Sequence, residues 1–326
     1  MNKKHWIGFV LACFLSLFGI VYLWNQSHEF SLLELNYWWI LVAFFLFIIM
    51  WVCDALALFF ILQSNHQKLP ITTLFRLTLS AFFFGAITPF QIGIIPALTS
   101  FLVKQGVPIS VTLSSLLLKS TINGILRAII SIVLAFYMKD IFGMDIVSVL
   151  FGYGIAVFLG YILLMNRSKL AGKIRILFSR FFYWMGEKLP FWKISLQHIG
   201  DSFVAFPKTM DPLFKNTSWM LPTIFFILMY WCILFSIPYP LFRALEHTAP
   251  FVDLAMLQAA YYMFQTFLPS PGGSGMAEVG LGYVYASFIG GSSPVFVFLL
   301  RMFTFYLPLS FGGIFFLANP FPSKIK

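Results

Sequence analysis

The sequence predicts an all-α integral membrane protein, with about six full spans plus two re-entrant helical hairpins arranged as an inverted repeat. Three observations carry this. Of 326 residues, 60% are hydrophobic and only 10% charged, against about 25% charged in soluble domains. Several apolar stretches exceed the roughly 18 residues that mark a membrane span. Two further apolar stretches are cut by proline and glycine at matching places in the two halves.

The elements follow in order. Trp6 to Trp24 reads as a first span behind a basic start; no small-x-small cleavage site follows, since the chain continues Asn25-Gln-Ser-His-Glu29, so the segment is read as an uncleaved span. Trp38 to Leu62 is a second span, interrupted by Asp54. Ile71 to Ala86 is helical, then Thr88-Pro89-Phe90-Gln91-Ile92-Gly93 breaks it, and a second arm runs to Lys104. Neither arm is long enough to cross about 30 Å of hydrocarbon at about 1.5 Å per residue. Together they suit a re-entrant hairpin. Ile109 to Tyr137 and Ile146 to Met165 are spans. Asn166 to Lys215 is basic, and Phe181, Phe182, Tyr183 and Trp184 mark helices lying in the membrane interface. Ser218 to Pro240 is a span. Phe251 to Phe267 is a helix broken by Pro269-Ser-Pro-Gly-Gly-Ser-Gly275, with a helix resuming from Met276 to Ile289: the second hairpin. Pro294 to Leu317 is the last span and contains Arg301.

These elements group as one membrane domain over 1–326. It comprises a first span and outer loop (1–37), a first repeat half (38–137), a linking span (146–165), a basic segment (166–217) and a second repeat half (218–317). The net charge of +10 sits at the termini and in the basic segment. This is the positive-inside pattern and excludes nucleic acid as the reason for the charge. It places both termini and the basic segment in the cytoplasm, in a multi-pass protein of the inner (cytoplasmic) membrane. An arrangement in which all four hairpin arms span would preserve the same sides. The repeat is read from spacing: Trp51 precedes Pro89 by 38 residues, and Trp231 precedes Pro269 by the same 38. The halves enter from opposite sides, a recurrent transporter plan.

An intramembrane charge is a functional candidate by default. Lys119 lies ~15 Å into its span and Arg301 ~12 Å into its own, from the helical rise; both reach the level of the hairpin tips. Ser115, Lys119, Asn123 and Arg127 recur every four residues and form a polar stripe on one helix face. At the second break, Gly272, Gly273 and Gly275 permit backbone shapes that other residues resist. With Ser274 they open a helix whose unpaired N–H groups make an anion site. Glu278, one turn on, has three readings: a pair with Arg301, a pair with Lys119, or a proton carrier. Gln91 and Gly93 are the counterparts at the first tip. Asp54 and Arg76 fall at one depth and are read as an ion pair. The candidate substrate-binding set is thus Arg301, Lys119, Glu278, Gly272, Gly273, Ser274, Gly275, Gln91, Asn123 and Arg127.

Catalysis finds no inventory. Gly272-Gly-Ser-Gly275 matches the GxSG of rhomboid-type proteases, but no histidine follows His247 to activate the serine. The three cysteines and five histidines are scattered without metal spacing, and no HExxH motif is present. No enzyme, metal or cofactor is expected.

Phe267-Leu-Pro-Ser-Pro-Gly-Gly-Ser-Gly-Met-Ala-Glu278 resembles the PTPGGxGxxE signature of the lysylphosphatidylglycerol synthase transmembrane-region family, which includes the flippase domain of the bacterial multiple-peptide-resistance factor. Ile87-Thr-Pro-Phe-Gln-Ile-Gly93 is similar to the first break of that family, and Leu299-Leu-Arg301 with Tyr306-Leu-Pro308 to its last helix. The resemblance covers about Trp38 to Leu317. It implies two re-entrant regions and lipid movement across the bilayer, with Pro271, Gly272, Gly273, Gly275, Glu278 and Arg301 matching the motif. The chain departs from it at Ile94-Ile95, where the family carries polar or acidic residues. It ends without the soluble synthase domain, so no aminoacyl transfer is expected.

The expected function is a flippase for a phosphate-bearing lipid, anionic or zwitterionic, held between the two tips. The alternatives are an accessory subunit of glycolipid or cell-envelope synthesis and a small-solute secondary transporter. A homo-oligomer and a partner lipid-modifying enzyme are both compatible with the sequence.

Overall fold

The structure is a computed structural model. It describes residues 35–88, 91, 93–137, 168–188, 217–265, 268, 270–289 and 293–318, with isolated positions in 148–160 and 197–204. The expected span at Trp6–Trp24, the loop after Tyr137 and the lysine tail lie outside these residues, as does most of the linking span.

The described residues are helical, with no strand among them. In order they form α1 (Tyr37–Ser64), α2 (Ile71–Ala86), α3 (Ile94–Lys104), α4 (Ile109–Tyr137), α5 (Lys169–Lys188) and α6 (Met220–Ser236). Then come α7 (Pro238–Ala244), α8 (Phe251–Gln265), α9 (Met276–Ile289), α10 (Ser293–Arg301), a π-helical turn (Met302–Tyr306) and α11 (Leu307–Ala318). Among the described residues, four helical stretches are long and apolar enough to cross a membrane: Tyr37–Ser64, Ile109–Leu134, Met220–Ala244 and Pro294–Ala318. By contrast α2, α3, α8 and α9 have 16, 11, 15 and 14 residues. At about 1.5 Å per residue each falls short of about 30 Å.

Helix ends explain the boundaries. Asn36 Oδ1 accepts the Trp38 N–H at 3.2 Å and caps α1. Three helices stop in the same way. After α1, α3 and α7 the chain turns left-handed at His66 (φ 58°), Gly106 (φ 89°) and Glu246 (φ 61°). In each case two N–H groups bond back into the last turn: His66 to Gln63 and Gln67 to Leu62, Gly106 to Val103 and Val107 to Leu102, Glu246 to Arg243 and His247 to Phe242. This double closure satisfies carbonyls that would otherwise be orphaned. A proline (Pro70, Pro108, Pro250) then precedes the next helix, and its carbonyl accepts that helix's first bond. Two of these joints, ending α1 and α7, lie 180 residues apart, and so do the starts of α2 and α8.

The last span is not a uniform helix. The π turn separates α10 from α11 just before Pro308. Proline has no N–H for the carbonyl four residues back, and widening the turn accommodates the missing bond. The sixth helix also continues through Pro238 and Pro240 into α7, beyond the expected end at Pro240.

Two compact units divide the chain. One holds the described parts of Met1–Val52, Thr78–Ile94 and Met229–Ala318. Its core stacks Phe47 on Phe311 (6.2 Å) and sets Trp51 edge-on to Phe82 (5.3 Å). Gly312 lets α11 press against the Leu79 carbonyl of α2, a position at which a methyl group would collide. The other unit holds Cys53–Leu77 and the described parts of Ile95–Leu228. Ile61, Leu118 and Trp219 form a buried cluster there, and Phe60 stacks on Phe226 at 5.7 Å.

Candidate functional site

The second break is built as its glycines require. Gly272, Gly273 and Gly275 have φ of 60°, 73° and 83°, the left-handed region that costs other residues energy. Gly272 is also crowded: an added Cβ would overlap the Phe305 ring and come within 3.2 Å of the Ala86 carbonyl. That carbonyl belongs to the last residue of α2, so Gly272 lies against the end of the helix that leads into the first break.

Glu278 and Arg301 form the centre. Glu278 is the third residue of α9, and its Oε2 accepts the Gly275 N–H at 2.6 Å. This is the reach-back half of a capping box, which neutralises the helix start. Its Oε1 accepts from Arg301 Nε at 2.7 Å. Arg301 also donates to the Gly272 carbonyl at 3.4 Å and lies 4.1 Å from the centre of the Phe305 ring. The pair is fully enclosed, at 1% and 0% exposure. Of the three readings for Glu278, the geometry gives the pair with Arg301.

Two tyrosines lie near this pair, and further buried polar groups belong to the same helices and break. Tyr261 and Tyr306 are close enough to Arg301 to interact electrostatically. The hydroxyls of Ser270 and Ser274 are buried with no hydrogen-bond partner among the described residues. Gln258 accepts the Tyr285 hydroxyl at 3.1 Å, while its own amide nitrogen is buried without an acceptor among the described residues. Unmet hydrogen-bonding capacity of this kind calls for a ligand or water. Ser270, Tyr261 and Gln258 were not selected from sequence; the signal was the polar spacing Gln258, Tyr261, Tyr262 on the helix leading into the break.

At the first break, Gln91 is half-buried with φ 55°. Thr88 Oγ1 accepts the Gly93 N–H at 3.0 Å, and a Cβ on Gly93 would come 2.5 Å from the Phe84 carbonyl. Gly93 thus permits close backbone approach and brings no functional group.

Lys119 is in the other unit. Its Nζ donates to Asp54 Oδ1 at 2.7 Å and to the Asp54 carbonyl at 3.1 Å. The Asp54 carboxylate, expected opposite Arg76, is taken up by Lys119. Asn123 donates to the Lys119 carbonyl at 2.9 Å, and Arg127 is half-buried on the same helix. Lys119, Asn123 and Arg127 all lie on α4. Among the described residues no group of histidine, cysteine or acidic side chains could hold a metal.

Helix α5 carries a separate feature. Leu170, Leu177, Phe181 and Trp184 are exposed along one stripe, and Lys169, Lys173 and Arg180 along the next. Ala171, Arg175, Ser179 and Gly186 form its buried face.

Comparison with known proteins gives this architecture a context. The chain is 24% identical to a UPF0104 membrane protein of Archaeoglobus fulgidus over 317 residues, covering 94% of each. No solved structure matches it. The model of the lysylphosphatidylglycerol synthase TM region matches residues 6–312, and the chain belongs to that family.

Proposed function

We propose that the protein moves a phosphate-bearing lipid across the membrane. The headgroup engages Arg301 at the glycine break, and α2–α3 and α8–α9 act as re-entrant hairpins of an inverted repeat. The observation that carries this reading is the buried Arg301–Glu278 pair at the start of α9, in a break whose Ser270 and Ser274 hydroxyls lack partners among the described residues. A buried guanidinium is the residue of choice for phosphate recognition, and a helix start adds N–H donors. Four short helices flanking two breaks, with joints 180 residues apart, support the repeat. Broken helices meeting at a substrate site are a known transporter arrangement. Lys119, paired with Asp54, has no role in the site as proposed.

The enclosure of the pair favours one other reading, a transporter of a small soluble anion, because a site closed on all sides suits a solute without tails. Purified protein reconstituted in vesicles separates the two. Headgroup-labelled phospholipids and polyprenyl phosphates are offered in one arm, and radiolabelled phosphate and carboxylates in the other. Movement of lipids only supports the flippase; movement of solutes only replaces it. An intact protein that moves neither points to an accessory role.

A further inference from the structure

The anion site at the second break already contains an anion, the protein's own. One oxygen of Glu278 takes the Gly275 N–H at the start of α9, and the other takes Arg301 Nε. A phosphate that docked between Arg301 and the helix start would need these same two donors. Its spread of oxygens matches what the carboxylate spans.

We propose that Glu278 is an internal surrogate for the phosphate of the transported headgroup. The headgroup enters by displacing the Glu278 carboxylate from Arg301 and Gly275, and the returning carboxylate expels it. This rests on the transport reading given above and specifies how that site loads and empties.

Three features carry it. Exchange of one anion for another keeps Arg301 neutralised throughout, so the buried guanidinium is never left unpaired, the costly state. Arg301 keeps its contacts to the Gly272 carbonyl and the Phe305 ring when the carboxylate leaves, so the guanidinium stays in position. The Ser274 hydroxyl, next to Gly275 in sequence, is 1% exposed and has no partner among the described residues, so its donor is left over for an incoming anion. Among the described residues, Tyr261 and Tyr306 interact electrostatically with Arg301, and both carry a hydroxyl that can donate.

The test is equilibrium binding of short-chain phosphatidylglycerol and of inorganic phosphate to the purified full chain, as wild type, Glu278→Gln and Arg301→Gln. Glutamine keeps the acceptor for Gly275 but removes the competing charge. Glu278→Gln is expected to bind the anion at least tenfold more tightly than wild type and to turn over more slowly, because expulsion is lost. Arg301→Gln is expected to lose binding. Tightening toward inorganic phosphate alone supports the exchange and assigns the anion to a solute. A folded Glu278→Gln that binds no more tightly, while wild type still moves lipid, overturns the surrogate and leaves the transport reading standing. Wild type that neither binds nor moves any lipid or anion overturns both. If Glu278→Gln does not fold, Glu278→Asp serves, being one methylene too short to span both donors. It too should bind more tightly, and an unchanged affinity overturns the proposal.

Discussion

Substituting Gly272 by alanine perturbs the site through two separable effects. The first is backbone: at φ 60° and ψ 12°, a Cβ costs about 1–2 kcal/mol. The second is space, because the new methyl overlaps the Phe305 ring. That ring is nearly fully buried and supports Arg301 at 4.1 Å, so it has little room to retreat. Overpacking of this kind costs about 1–3 kcal/mol. The total is about 2–5 kcal/mol. Gly106 supplies the control, since it too has a left-handed backbone (φ 89°) but nothing within 4 Å of an added Cβ. Gly106→Ala therefore carries only the backbone cost, about 1–2 kcal/mol. Equilibrium unfolding in mixed micelles, followed by tryptophan fluorescence, measures both. Gly272→Ala should exceed Gly106→Ala by about 1–3 kcal/mol. Combining it with Phe305→Leu should recover part of the excess. Equal losses for the two glycines would refute the reasoning that Gly272 is held by contact with the ring.

Other consequences follow from the same geometry. Arg301→Met and Glu278→Met should each destabilise by about 3–5 kcal/mol, since either strands a buried charge. The double variant should lose less than the sum, as a double-mutant cycle by the same unfolding assay will read. Asp54→Asn leaves Lys119 its bond to the backbone carbonyl and a side-chain oxygen to accept from it, so in the same assay the loss should be smaller than for either change at the fully enclosed Arg301–Glu278 pair. For α5, the adjoining apolar and basic stripes predict that it lies along an anionic leaflet. Trp184 fluorescence should be quenched by lipids brominated near the headgroup, more strongly in anionic than in neutral nanodiscs. Replacing Lys169, Lys173 and Arg180 together by glutamine should remove that preference; quenching indifferent to lipid charge would contradict it.

Particular residues show how far the sequence could be read. The second break was legible because its cause is local: two prolines and three glycines within seven residues leave few backbone solutions. The four long apolar helices were equally plain, since length and hydropathy need no tertiary information. The partner of Asp54 was not legible. Depth along the helices pointed to Arg76, but the contact made is with Lys119, 65 residues away, and helix rotation decides which side chains meet. The π turn after Arg301 was announced only by Pro308, which is equally compatible with a simple kink. Helix ends at His66 and Glu246 carried no glycine to mark their left-handed turn, unlike Gly106. Glu278 was recognised as a candidate, but its double engagement with Gly275 and Arg301 depends on how α9 and α10 pack.

Movement of headgroup-labelled phospholipid in vesicles by wild type and Arg301→Ala, each shown to be folded by its elution and unfolding profile, tests the central claim most directly. The account predicts rapid movement by wild type and loss of at least a hundredfold in the variant, about 2.7 kcal/mol of headgroup binding at the site. A folded Arg301→Ala that moves lipid at the wild-type rate would contradict it, because the buried guanidinium would then serve the fold alone.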